Sequence, residues 1–274
     1  MNRTSLGRSA IRFSTLFALA VAFTTSILPS GASSVPAQAK SLEQSQDEAI
    51  GLLKEYLKID TTNPPGNETK GAEYLAKIFK DNGIEAQLYE TAPGRSCVYA
   101  RLKGTGKKKA IVLLNHIDVV PANAADWKHA PFGGDEIDGE IWGRGTIDMK
   151  GYGIAQLETM LMFKRSGKLL DRDLIFVGTP DEEVGGNFGA SWFVKNHADL
   201  VKDAEFLLNE GAFIDTADDG KARYCGVAVS EKSVLWLSLS SKGDAGHASM
   251  PQPDSSVNRL VSSLNKIIEN PPKP

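Results

Sequence analysis

Cysteine is nearly absent: Cys97 and Cys225 are the only two in 274 residues. They form no C-x-x-C pair, which excludes a thiolate metal site or a dithiol redox motif. Each lies in a strand-like run, where a buried free thiol is common, and spacing alone does not decide whether they pair. No G-x-S-x-G occurs, so the nucleophile elbow of a serine hydrolase is missing. Charge of one sign is missing too. Lys and Arg number 31 against 34 Asp and Glu, and no basic block stands out. That argues against nucleic acid as a partner. With only four histidines, any metal site here must rest mainly on carboxylates. No internal repeat is apparent.

Long hydrophobic runs are also lacking. The one candidate, Phe13 to Phe23, is too short for a comfortable membrane span. Arg3, Arg8 and Arg12 precede it, and Pro29, Gly31 and the small residues ending Ala37-Gln38-Ala39 follow. This is the layout of a secretory signal with an A-x-A cleavage site. The expectation is that residues 1–39 are a signal peptide and that the protein is exported, to the periplasm or beyond. Those residues hold three Arg and no acid, so their loss leaves the chain three charges more negative.

What is present is an alternation of helical and strand-like periods. Gln46 to Ile59 and Glu68 to Asn82 place apolar residues at helical spacing, separated by the breaker Asn63-Pro64-Pro65-Gly66. Ile84–Glu90 and Ser96–Lys103 read as strands, and Ala110–Asn115 and Leu174–Thr179 as buried ones. Asn123 to Gly143 has no period and reads as a long excursion. Met149–Lys164 and Gly189–Asn196 read as helices, and Ala204–Asn209 as a further strand. This order predicts an α/β fold with a mixed, mainly parallel sheet flanked by helices. Near Ser230 the texture changes. Ser233–Ser241 alternates as a half-exposed strand carrying Trp236, and a helix capped by Asp254 follows. The predicted layout is a catalytic domain over 40–229 and the start of a smaller α+β domain over 230–274.

Chemistry-bearing residues recur at the ends of these strands. His116 and Asp118 are two apart, directly after the run Ala110–Leu114, so their side chains emerge together from the carboxyl end of a strand. Ligands bind at that edge of open α/β sheets. Asp148 follows a Gly-rich turn and opens a helix. Glu182 and Glu183 follow one strand, and Glu210 another. Carboxylates crowded into one pocket repel one another unless cations compensate. Many oxygen ligands with few imidazoles suit zinc, manganese or cobalt, and two-metal hydrolases use such sets. Of two adjacent acids, one can bind metal while the other acts as a base.

In these motifs the chain resembles the dinuclear-zinc metallopeptidase family of aminoacylases, carboxypeptidases G and S, and the ArgE/DapE deacylases. The matching pieces are His116-Ile-Asp118-Val-Val-Pro121, Gly143-Arg-Gly-Thr-Ile-Asp148-Met-Lys-Gly151, Asp181-Glu182-Glu183, Asn209-Glu210-Gly211 and Gly246-His247-Ala248-Ser249-Met250-Pro251. The resemblance implies a zinc-peptidase-like catalytic domain followed by a lid domain, through which the whole protein forms a homodimer. It implies hydrolysis of an amide bond in small peptides or N-acyl amino acids. Two divalent ions, zinc first, are implied as cofactors. His116 and Glu210 would bind one metal, Glu183 the other, and Asp148 both. Asp118 would hold the His116 imidazole, Glu182 would be the general base, and His247 would bind substrate. The peptide bond after Asp148 would be cis. The family's remaining imidazole ligand comes from beyond the lid and has no match here. The chain is therefore read as C-terminally truncated, and a non-catalytic binding or scaffold remnant is the competing reading. His129 and His197 read as surface residues.

Overall fold

The computed structural model describes residues 40–211, 214–230, 237–247, 249–250 and 252–271. The expected signal segment lies outside them, as do Val234, Trp236, Ala248 and Pro251. The chain divides into two compact units, Met1–Gly211 and Ala212–Pro274.

The first unit begins with helix α1, Leu42–Leu57. Ser41 and Gln44 form a reciprocal capping box at its start, satisfying two otherwise orphan backbone groups. At its other end, the Lys150 ammonium donates to the carbonyls of Tyr56 and Ile59, at 3.2 and 2.7 Å. Helix α2 is Thr69–Asp81. Strands β1 (Ala86–Ala92), β2 (Arg95–Leu102) and β3 (Ala110–His116) follow. The aperiodic stretch then folds into a short hairpin, β4 (Asp135–Ile137) and β5 (Glu140–Trp142). Helix α3 is Lys150–Ser166, β6 is Leu174–Thr179, α4 is Ala190–His197 and β7 is Ala204–Leu208.

The main sheet has the order β1-β2-β6-β3-β7. β6 and β7 flank β3 in parallel, while β2 runs antiparallel to both β1 and β6. The sheet is therefore mixed, with four strands pointing one way. Alternation along the strands divides two cores between its faces. Val98, Leu113 and Phe176 face α1, α2 and α3, meeting Leu53, Phe79 and Leu157. Phe79 and Phe176 meet edge to face at 4.9 Å between ring centroids, a favourable aromatic geometry. Cys97, Val112, Ile175 and Val177 face the other way, toward Phe193 of α4. Both faces of β3 and β6 are covered, which accounts for their unbroken apolar runs.

The second unit holds an antiparallel pair, β8 (Ile214–Thr216) and β9 (Ala222–Cys225), and helix α5, Ser256–Glu269. Two expectations change here. Ser255, not Asp254, caps α5, because its hydroxyl reaches the Asn258 amide while Asp254 pairs with Arg259. Residues 237–241 carry no strand. Cys97 is a buried free thiol and Cys225 an exposed one. Among the described residues no helix is long and apolar enough to cross a membrane.

Candidate metal centre

The site is assembled at the carboxyl ends of β3, β6 and β7. His116 ends β3 and is 3% exposed. Its Nδ1 lies 2.9 Å from the backbone carbonyl of Asp118. A carbonyl oxygen only accepts, so Nδ1 carries the hydrogen. In the neutral ring, Nε2 then presents a lone pair. It faces Asp148 Oδ1 at 2.9 Å, Glu210 Oε2 at 3.5 Å and Glu182 Oε2 at 3.9 Å. A lone pair directed at carboxylates is repulsive unless a proton or a cation stands between them. Burial by itself lowers the His116 pKa. Hydrogen bonding to Asp118, Asp148 and Glu210 outweighs this and carries it up to about 12. The group of anions is thus built around positive charge.

His116, Asp148 and Glu210 offer ligand atoms that all lie within 4.8 Å of one another. One imidazole nitrogen and two carboxylate oxygens are a suitable donor set for a divalent cation such as zinc or manganese. The residues present therefore fit a metal ion. Asp148 sits just ahead of α3, whose N-cap is Met149, and the Asp148–Met149 peptide is cis. Its side chain is 62% exposed. A hydrogen bond from His116 holds the Asp148 carboxyl below its ordinary range. Lys150, two residues on, points away from this cluster into the end of α1.

Asp118 is fully buried behind the imidazole, with Oδ1 3.5 Å from Nδ1. Its carboxylate accepts from the backbone amides of Glu182 and Glu183, both at 3.1 Å, and from the Asn63 amide at 2.9 Å. Burial opposes ionisation of Asp118, but these bonds and His116 keep its pKa below the usual value. Asp118 therefore ties the β3 end to the turn after β6.

That turn is Asp181 followed by a single 3-10 turn, Glu182–Val184. Burial raises the Glu182 pKa, and the charges of Glu210, Asp118 and Asp148 add to the rise. Burial also lifts Glu183, together with the charge of Asp148, to about 7. Glu183 is not among the three residues whose ligand atoms converge. It lines, with Asp148, a cleft of about 700 Å³ whose other walls include Trp127, Trp142, Arg144 and Tyr152. The aperiodic stretch thus supplies a wall of this cleft through β5 and Trp127. His129 and His197 are packing residues, not free surface ones. His129 meets the Trp142 ring edge-on at 4.7 Å, and His197 meets Tyr89 at 4.2 Å. His247 belongs to the second unit, where its Nδ1 lies 2.7 Å from the Ser249 hydroxyl.

Sequence reasoning gave no role to Asn63 or Arg95. Asn63 looked like a turn residue before two prolines. Its amide at 2.9 Å from Val119 O and the Val119 amide at 3.2 Å from Thr61 O lash this turn to the segment after β3. A polar side chain in a turn that is itself 1% exposed is invisible to periodicity.

The model of peptidase family M20/M25/M40 matches residues 112–241 of this chain. Among curated relatives, pig (Sus scrofa) aminoacylase-1 is 34% identical over 222 residues, 80% of this chain and 53% of that protein. The probable carboxypeptidase S-like 2 of Dictyostelium discoideum is 37% identical over 174 residues, 61% of this chain and 33% of that protein. The chain spans about half the length of the aminoacylases it matches. Among solved structures, an M20 family metallo-carboxypeptidase from Sulfolobus solfataricus superposes with a TM-score of 0.55 at 25% identity, covering 65% of this chain and 39% of that one. Human carnosine dipeptidase 1 shares the fold with a TM-score of 0.54 at 21% identity, covering 64% and 40%.

Proposed function

We propose that this chain carries the catalytic centre of a metal-dependent hydrolase that cleaves an amide bond in small peptides or N-acyl amino acids. The observation that carries this reading is His116 Nε2 turned toward the carboxylates of Asp148, Glu210 and Glu182. His116, Asp148 and Glu210 would hold one divalent ion, and Asp148 with Glu183 a second. Zinc is the first choice, cobalt or manganese the next. When bound, such ions supply Lewis acidity, polarising the scissile carbonyl and acidifying water.

The rest of the chemistry falls to the chain's own groups. Asp118 and its carbonyl fix the His116 tautomer so that Nε2 stays free to ligate, the usual work of a partner behind a ligating histidine. Glu182 accepts the proton of the attacking water and returns it to the leaving amine. Its raised pKa suits both halves of that transfer, since a base poised nearer neutrality can give back what it takes. The Trp127 and Trp142 rings would shelter the apolar part of the substrate. His247 would orient the substrate carbonyl or carboxylate, and homodimerisation would run through the second unit. Export guided by residues 1–39 belongs to the same reading.

The test is turnover of N-acyl amino acids and dipeptides by protein loaded with zinc, manganese or cobalt, against Glu182→Gln. The variant is expected to lose about 10²- to 10⁴-fold in kcat, the usual contribution of a general base, while metal uptake stays within a few-fold. No turnover with any of the three metals sinks the proposal.

A further inference from the structure

The turn that presents Glu182 and Glu183 is held only in part by its own hydrogen bonds, such as Gly185 N to Glu182 O at 3.0 Å. Asp181, at its head, holds φ +73°, a left-handed backbone that non-glycine residues seldom adopt. It is followed directly by the two acids Glu182 and Glu183. The rest of its support comes from elsewhere in the chain.

Asp181 is buried, and its two oxygens are both used. One accepts from the Phe188 amide at 2.9 Å, closing the loop from within. The other accepts from the Arg95 guanidinium, through Nη1, and from Asn63 Nδ2 at 3.3 Å. Arg95 is the first residue of β2, with its side chain 11% exposed. Its Nη2 also donates to Asn63 Oδ1 and to the Pro65 carbonyl, both at 2.7 Å. Its plane lies over the Phe188 ring at 5.4 Å. Asn63, fixed through its Oδ1, turns its Nδ2 to Asp118. Asp118 in turn receives the amides of Glu182 and Glu183. One guanidinium thus reaches both ends of the turn, directly through Asp181 and indirectly through Asn63 and Asp118.

The sequence makes room for it. Gly66 has φ +93°, and a Cβ there would sit 2.4 Å from the Arg95 guanidinium. Glu68, fully buried, places Oε2 3.9 Å from Arg95 Nε and adds charge without touching the turn.

We infer that Arg95 is a positioning residue for the hydrolytic reaction: by clamping Asp181 and Asn63 it fixes where the base Glu182 and its neighbour Glu183 stand. This rests on the reading of Glu182 given above. Arg95 is at no point in contact with the ligand cluster, so its loss should disturb placement of the base more than uptake of the first ion. A displacement of about 1 Å in a catalytic group is worth roughly 10²-fold in rate.

The experiment uses the metal-loaded chain with Arg95→Gln, Arg95→Lys and the control Glu68→Gln. Arg95→Gln is expected to lower kcat about 10²-fold with KM changed by no more than a few-fold. Amide hydrogen exchange should accelerate at Glu182, Glu183 and Phe188 while that of β3 and β6 is unchanged. Arg95→Lys keeps the charge but loses the planar fork, so it should recover only part of the loss. Glu68→Gln should keep kcat within a few-fold. If Arg95→Gln does not fold, Asp181→Asn takes its place, keeping shape while removing the charge that Arg95 grips. Unchanged kcat with unchanged exchange overturns the inference, and so does exchange that accelerates across the whole sheet. If the parent chain hydrolyses nothing, the hydrolase reading fails alone, and the exchange pattern still decides whether Arg95 holds the turn.

Discussion

Strands β3 and β7 are neighbours, run parallel and both deliver acid or imidazole groups to one site, yet they stand in opposite surroundings. β3 lies between β6 and β7 with helices over both faces, and His116 at its end is almost sealed from solvent. β7 forms the edge of the sheet among the described residues, and Phe206, Leu207 and Leu208 are each about half exposed. The sequences AIVLLNH and AEFLL do not announce this difference. Both are apolar runs fit for a covered strand. The lesson is that an apolar run states what a strand can tolerate, whereas burial depends on what lies beside it. The site is built across that divide, with His116 and Asp118 fixed in the covered half and Glu210 delivered from the edge.

The largest expected contrast is in stability. Phe176→Ala in β6 removes the ring that meets Phe79 and should cost about 3–5 kcal/mol, the usual range for a buried phenylalanine. Leu208→Ala at the edge should cost less than about 1 kcal/mol, because it removes contacts that are only half made. Denaturant melts of the two variants measure this. Equal losses would mean that the edge strand is covered in solution and would erase the contrast.

The second contrast concerns charge in the covered half. Glu158 of α3 is 1% exposed beside Glu48 and Arg165. Burial, helped by the charge of Glu48, pushes it up to about 7 from 4.5. The folded state then binds the proton more tightly than the unfolded chain between those two values. Stability should therefore fall as pH rises from about 4.5 to about 7 and level off above, by at most about 3 kcal/mol from this group. Burial likewise lifts Glu68 to about 7, adding a slope of the same sign. Glu158→Gln should flatten the pH dependence of the melt by its share. A variant with the same slope as the parent would contradict the assignment.

Local pattern made much of this architecture legible. Leu174–Thr179 reads as a strand and is one, and the helix expected over Met149–Lys164 runs Lys150–Ser166. The gathering of His116, Asp148 and Glu210 was legible because each sits where a strand ends or a helix begins, and parallel topology sends those ends to one edge. Asn63 and Arg95 were not legible, because their partners lie 55 residues away at Asp118 and 86 away at Asp181. No period encodes a hydrogen bond between distant loops. The hairpin β4–β5 escaped notice because three-residue strands are too short to show alternation. The α5 cap was misplaced by one residue because Asp254 and Ser255 are both good caps, and the choice turned on Arg259 taking Asp254.

Smaller effects refine the comparison at the site itself. Asp118→Asn keeps the shape behind His116 but weakens its hold on the imidazole. Loss of such a partner costs about 10- to 100-fold in metal affinity, and a zinc titration reads it directly. Glu210→Gln, at the edge-strand end, alters one of the three converging donor groups and, on the proposed reading, should weaken the same titration at least as much.

The smallest expected change is at the edge. A half-exposed apolar run on a strand with one unpaired side is a template for pairing with another chain. Leu207→Lys places a charge there, a common device against such pairing. Folding stability should move by no more than about 0.5 kcal/mol, as for other surface substitutions, while self-association in sedimentation experiments should fall. A loss of several kcal/mol instead would mean that Leu207 is packed in solution. In that event the β7 edge, open among the described residues, is covered in solution.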